Sequence, residues 1–147
     1  MPPAGFVLPP PPRAAGFYRP VVVANGFAFL SGFGPRAADG GPVAGIVGGD
    51  MTVETARAHA REVGLLMLAA LVDTLGTLDR IRQVMKVTGM INAAPGFGLH
   101  PRVLDGCSEV LVEALGSRGE HARAAYGVAS LPFGTPLSIE AVCLVAD

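Results

Sequence analysis

The sequence predicts an α+β domain, a mixed β-sheet with two helices packed on one of its faces in the order ββαβαββ. Three observations predict it. Two runs of β-branched and aromatic residues flank Asn25-Gly26, two later segments repeat apolar residues at helical spacing, and the stretches between and after them alternate in the manner of strands. At 147 residues, half of them hydrophobic, the chain reads as one domain with enough apolar side chains for a real core.

Residues 1–16, with Pro9 to Pro12 in a row, cannot form helix or donate to a strand ladder. They read as an extended arm that wraps the domain or a neighbour. Pro20 to Ala24 and Phe27 to Ser31 are the first two strands, because Asn-Gly accepts the positive φ angles of a tight hairpin turn. Residues 32–50 are rich in Gly, Pro, Ala and Asp and form a loop with a short bridging strand, Asp39-Gly40-Gly41 being its turn signal.

Thr52 is suited to cap the first helix, where Ala56, Ala60, Val63, Met67, Ala70 and Leu71 recur at helical spacing and Gly76 ends the run. Gln83 to Asn92 alternates as the third strand. Pro101 to Leu115 is the second helix, with Val103, Leu104, Cys107, Leu111 and Ala114 as its apolar stripe and Gly116 closing it. His121 to Ser130 and Pro136 to Val145 are the last strands, joined through residues 131–135. Helices on one face leave the other face of the sheet apolar, so that face is expected to be buried against other subunits in a homo-oligomer.

Charge and composition narrow the function. A formal net charge of −1, with Lys86 the sole lysine and the arginines scattered, offers no footprint for a phosphate backbone, so nucleic acid is not the expected partner. The longest apolar run, Val63 to Val72, is about half of a membrane span, and no charged leader precedes a cleavable apolar segment. A cytoplasmic protein without membrane contact is expected. Cys107 and Cys143 show no paired spacing and read as small buried hydrophobes.

Two charged residues interrupt the last two strands, Arg123 and Glu140. Desolvating a guanidinium and a carboxylate there costs several kcal/mol unless a partner, water or a polar ligand meets them, which marks a site on the open sheet face at a subunit seam. The plain alternative is a structural salt bridge, even between the two. His59, His100 and His121 lack metal-ligand spacing, so no metal is expected; His121 shares strand parity with Arg123 and stands as a candidate for the rim. Ser31 lacks the preceding glycine of a nucleophile elbow, and the glycines at 32–34 and 45–49 match neither a dinucleotide fingerprint nor a phosphate loop.

The segments Gly16-Phe-Tyr-Arg-Pro20, Asn25-Gly26-Phe-Ala-Phe-Leu-Ser31-Gly32, Val84-Met-Lys-Val87 and His121-Ala-Arg123-Ala-Ala-Tyr-Gly-Val-Ala-Ser-Leu131-Pro132, followed by Ile139-Glu140-Ala141, resemble the RidA (YjgF) family of reactive-intermediate deaminases over nearly the whole chain. The arginine with Val, Leu-Pro and a Glu eight residues beyond the Pro is the most specific part. The resemblance implies a chorismate-mutase-like fold, a homotrimer with clefts between subunits, and hydrolysis of enamines or 2-imino acids such as 2-iminobutyrate to 2-keto acids and ammonia without cofactor. It implies Arg123 as the carboxylate grip, Glu140 as the group that positions water, and Tyr18, Ser31, Gly32 and Phe33 as cleft lining. Phe33 stands where many relatives carry Gln, and the asparagine before the second helix is replaced near Pro101, departures that point to a divergent branch. Besides metabolite repair, the same residues allow a deaminase dedicated to one pathway, a non-enzymatic trimer that senses small carboxylates, or an endoribonuclease or translation inhibitor, the last opposed by the charge balance.

Overall fold

In the computed structural model, which describes residues 6–14 and 16–147, the strands are β1 (Val21–Ala24), β2 (Phe27–Phe33), β3 (Ile81–Asn92), β4 (Ala122–Val128) and β5 (Leu137–Val145), and the helices are α1 (Val53–Leu75) and α2 (His100–Leu115). The sheet order is β1-β2-β5-β3-β4, with β3 and β4 parallel and every other pair antiparallel. The two helices pack on one face of this mixed sheet, in the order and arrangement the sequence predicts.

The local signals explain the elements. Asn25 and Gly26 take φ of 52° and 79°, the left-handed pair that a two-residue hairpin turn needs. Thr52 Oγ accepts the Thr55 N–H at 3.1 Å to open α1, and Gly76, at φ 84°, closes it by donating its N–H to the Val72 carbonyl. The predicted apolar stripe of α1 is buried throughout, together with Leu66, Leu68 and Leu75. In the loop 32–50, isolated bridges join Arg36 to Pro42 and Val47 to Met51 and Ala93.

Boundaries shift where pairing overrides composition. β2 continues past Ser31 to Phe33, which pairs with Ile139 after a bulge, and β3 begins at Ile81 because Ile81 pairs with Val145. β4 is shorter than predicted, because residues 129–130 lie beyond the β3 partner Asn92.

Of the arm, residues 1–5 and 15 lie outside the described residues. Phe6 and Leu8 pack on the domain's own core. Val7 to Pro10 line a groove of about 480 Å³ with Arg36, Glu62 and Leu65, so this part wraps the domain itself. No helix among the described residues is long and apolar enough to cross a membrane.

One expectation requires correction. The open face of the sheet does not carry both charged residues. In a paired sheet, residues opposite one another share a face, and Arg123 is opposite Val87, which is opposite Ala141, so Arg123 points toward the helices. Glu140, opposite Thr88, points the other way, with exposed Val22, Phe29 and Tyr126 on the same apolar surface.

Both cysteines are buried, and desolvation pushes each thiol up to about 12 from an ordinary 9.0. Neither thiol is expected to react with an alkylating reagent at neutral pH until denaturant opens the core, which mass spectrometry of labelled protein would show. The linkage has a sign. The unfolded chain releases these protons from about pH 9 while the folded chain holds them to about 12, so they lower stability as pH rises through that window.

Candidate functional site

Arg123 is held by α2. Its Nη1 donates to Asp105 Oδ1 at 2.8 Å and to Ser108 Oγ at 3.1 Å, and Nη2 points at the Pro101 carbonyl at 3.5 Å. The salt-bridge partner is Asp105 rather than Glu140. Nε and the remaining Nη2 hydrogen have no hydrogen bond within the described residues, and the side chain is 24% exposed at the bottom of an open basin. A planar guanidinium so tethered presents free donors toward the basin, where two parallel charge-assisted bonds to a carboxylate can form.

His121 joins the same cluster. Its Nδ1 lies 2.6 Å from the Gly119 carbonyl and its Nε2 lies 2.9 Å from Ser108 Oγ. A carbonyl can only accept, so Nδ1 carries a proton, and in the neutral ring Nε2 accepts from the Ser108 hydroxyl. Asp105, Ser108, Val112, Glu120, His121 and Arg123 line a basin of about 330 Å³. Gly119 permits the approach of this segment, since a Cβ there would stand 2.2 Å from the Leu111 carbonyl oxygen.

Asp105 and Ser108 do not stand out as site residues in the sequence. Their signal is spacing: they lie three residues apart, one turn along α2, while His121 and Arg123 lie two apart on one face of β4. Joining the two faces requires knowing that β4 packs under α2.

The predicted cleft residues Tyr18, Gly32 and Phe33 gather elsewhere, with Arg13 and Arg36, around a pocket of about 120 Å³ near β1 and β2. Ser31 Oγ donates to the Arg19 carbonyl at 2.7 Å and so fixes the segment that carries Tyr18. Gly32 lies against β5, where a Cβ would be 2.6 Å from Ser138 Oγ. Phe33 belongs mostly to the core, at 7% exposure. Glu140 is in a third place, with Lys86, Thr88 and Phe29 around a shallow hollow on the open face.

One protomer therefore does not unite the predicted residues. Arg123 lies on β4 at one edge of the sheet, Tyr18 and Gly32 lie by β1 and β2 at the other, and Glu140 lies between them on the opposite face. Among the described residues no three His, Cys, Asp or Glu side chains gather as a metal site.

This architecture matches known proteins. A family model described as “YjgF/chorismate mutase-like, putative endoribonuclease” covers residues 1–146. Protein TCP17 of Trypanosoma cruzi is 33% identical over 139 residues, which are 94% of this chain and 87% of that protein. The structure of Atu1372 from Agrobacterium tumefaciens, a protein of unknown function, is similar at a TM-score of 0.86 and 34% identity, covering 96% of this chain and 86% of that one. That of a “putative endoribonuclease” from Shewanella oneidensis is similar at 0.90 and 29% identity, covering 97% and 94%.

Proposed function

The chain belongs to the YjgF/chorismate-mutase-like family, and on that premise we propose that it hydrolyses reactive 2-imino acids and their enamines to 2-keto acids and ammonia, without cofactor, at seams between the subunits of a homotrimer. The observation that carries the reading is Arg123, a guanidinium with unused donors at the base of an open basin. A 2-imino acid offers a carboxylate to that fork and an electrophilic C=N carbon beside it. The imine reacts with water unaided, so positioning and one acid–base group, the latter worth ~10²–10⁴-fold, suffice without a covalent intermediate.

The trimer is supported by where the half-sites lie. Arg123 and the Tyr18–Gly32 pocket occupy opposite edges of one sheet, so joining them requires the β4 edge of one subunit to meet the β1–β2 edge of the next. Such head-to-tail contact is that of a closed ring such as a trimer, not of a two-fold dimer, when its rotation closes. Glu140 reaches an Arg123 only from another subunit, and in this reading it positions water there. Light scattering should return three times the 15.0 kDa mass, and a stable monomer would remove the shared cleft.

A second reading, a non-enzymatic trimer that binds small carboxylates, is favoured by the separation of Glu140 from Arg123 on opposite faces. RNA cleavage, which the family's description names, is opposed by the net charge of −1 and the absence of a basic stripe. The experiment generates several imino acids in situ with an amino-acid oxidase or a dehydratase and follows semicarbazone trapping. The deaminase reading expects wild type to reduce trapping and Glu140→Gln to restore much of it. Tight keto-acid binding with no effect of wild type on any imine would select the binder instead.

A further inference from the structure

Ser108 and His121 have no role in the reading above, although both touch its anchor. The geometry points to them as the proton relay of the Arg123 site, an inference that rests on the deaminase reading. The Gly119 carbonyl holds the proton on His121 Nδ1, so the Nε2 lone pair faces Ser108 Oγ at 2.9 Å. The same hydroxyl accepts from Arg123 Nη1 at 3.1 Å, which orients its own hydrogen toward Nε2. A hydroxyl polarised by a cation on one side and facing a neutral imidazole on the other is built to pass a proton.

The charged surroundings leave two bases in the basin, Glu120 and this pair, of which this pair is the one hydrogen-bonded to Arg123. From α2, Asp105 is occupied by Arg123 at 2.8 Å, and Glu109 turns to Arg57 of α1. Before β4, Arg118 turns to the Leu78 and Ile81 carbonyls, and exposed Glu120 stands on the basin wall. Glu140 of the same subunit is on the other face of the sheet, and a neighbour's Glu140, which in the trimer reading positions the water, leaves the proton to this pair.

In the relay, water held at Ser108 Oγ attacks the carbon of the protonated imine. The C–O bond forms, the π pair moves onto nitrogen, and the water's proton passes to Ser108 as the hydroxyl gives its own to His121 Nε2. The imidazolium returns that proton through Ser108 to the amine nitrogen. The C–N bond then breaks with its pair on departing ammonia, which takes the remaining hydroxyl proton. Iminium and water become keto acid and ammonium. Ser108 meets the reacting water; His121 acts through it.

The test measures kcat and KM for 2-iminobutyrate hydrolysis against pH in wild type, Ser108→Ala, Ser108→Thr, His121→Gln and Arg123→Ala, with binding of 2-ketobutyrate measured in parallel. Ser108→Ala and His121→Gln should each lower kcat about 10²-fold and abolish the acid limb of its pH profile. Keto-acid affinity should stay within about twofold, because the guanidinium keeps its free donors. Ser108→Thr, which keeps a hydroxyl, should recover most of the rate. Wild-type rates and an unchanged profile in folded Ser108→Ala and His121→Gln, with Arg123→Ala inactive, would overturn the relay and leave the deaminase reading standing. A wild type that accelerates no imine overturns both.

Discussion

Replacing Arg123 by Ala should weaken binding of a 2-keto acid about 10²-fold, the loss of roughly 3 kcal/mol of charge-assisted hydrogen bonding, in an isothermal titration against wild type. The fold should survive. The Arg123–Asp105 pair is part-exposed, at 24% and 41%, and pairs of this kind contribute about 0–1 kcal/mol. Arg123→Lys should fall between the two, because an ammonium keeps the charge but cannot offer two parallel donors to a planar carboxylate. Equal affinity in wild type and Arg123→Ala would place the ligand elsewhere, with the Arg13, Arg36 and Tyr18 pocket next to be probed.

The largest effect on stability is expected at Gly106. This residue lies where α2 crosses α1, and a Cβ there would stand 2.1 Å from the carbonyl oxygen of Arg57. The obstacle is backbone, which no rotamer change can move. The crossing is close along its length, since a Cβ at Gly64 would meet Val110 Cβ at 3.2 Å and the Cys107 carbonyl oxygen at 3.3 Å. Gly106→Ala should cost about 3 kcal/mol by forcing the helices apart, even after the gain in helix propensity. For a chain of this size that lowers Tm by roughly 6–12 °C. Gly98→Ala is the control: nothing lies within 4 Å of its Cβ position, and its Tm should barely move. A Gly106→Ala protein as stable as wild type would contradict the packing described at the helix crossing. Because α2 carries Asp105 and Ser108, the same substitution should also loosen the Arg123 site.

What was legible in the sequence is what neighbouring residues decide. Asn25-Gly26 specifies its turn through two adjacent φ angles, and Thr52 and Gly76 mark the ends of α1 through hydrogen bonds within one turn. The helices' stripes follow from spacing alone, and so does the layer they form. The face of Arg123 does not. It depends on β4 lying parallel to β3 with Arg123 opposite Val87, a pairing between segments 36 residues apart in sequence. Bulges between Val84 and Lys86 and between Leu30 and Phe33 further break any parity count carried along the strands.

The same limit governs the site. Arg123 stood out because a cation in an apolar strand demands a partner, yet which partner was undetermined, and Asp105 on α2 rather than Glu140 on β5 supplies it. His121 was legible as a companion of Arg123 because alternate residues of a strand share a face. Ser108 was not, since a lone serine in an amphipathic helix is unremarkable until β4 is laid beneath it. Phe33, implied as cleft lining by the resemblance because it stands where relatives carry Gln, borders the Tyr18–Gly32 pocket, while the bulge before it turns most of the ring into the core.

The most direct test of the central claim, that Arg123 anchors an imine for hydrolysis, is the rate of ammonia release from 2-iminobutyrate generated in situ, compared between wild type and Arg123→Ala at equal concentration and equal assembly state. Faster release with wild type and the uncatalysed rate with Arg123→Ala is the predicted result. Equal acceleration by both proteins would contradict it.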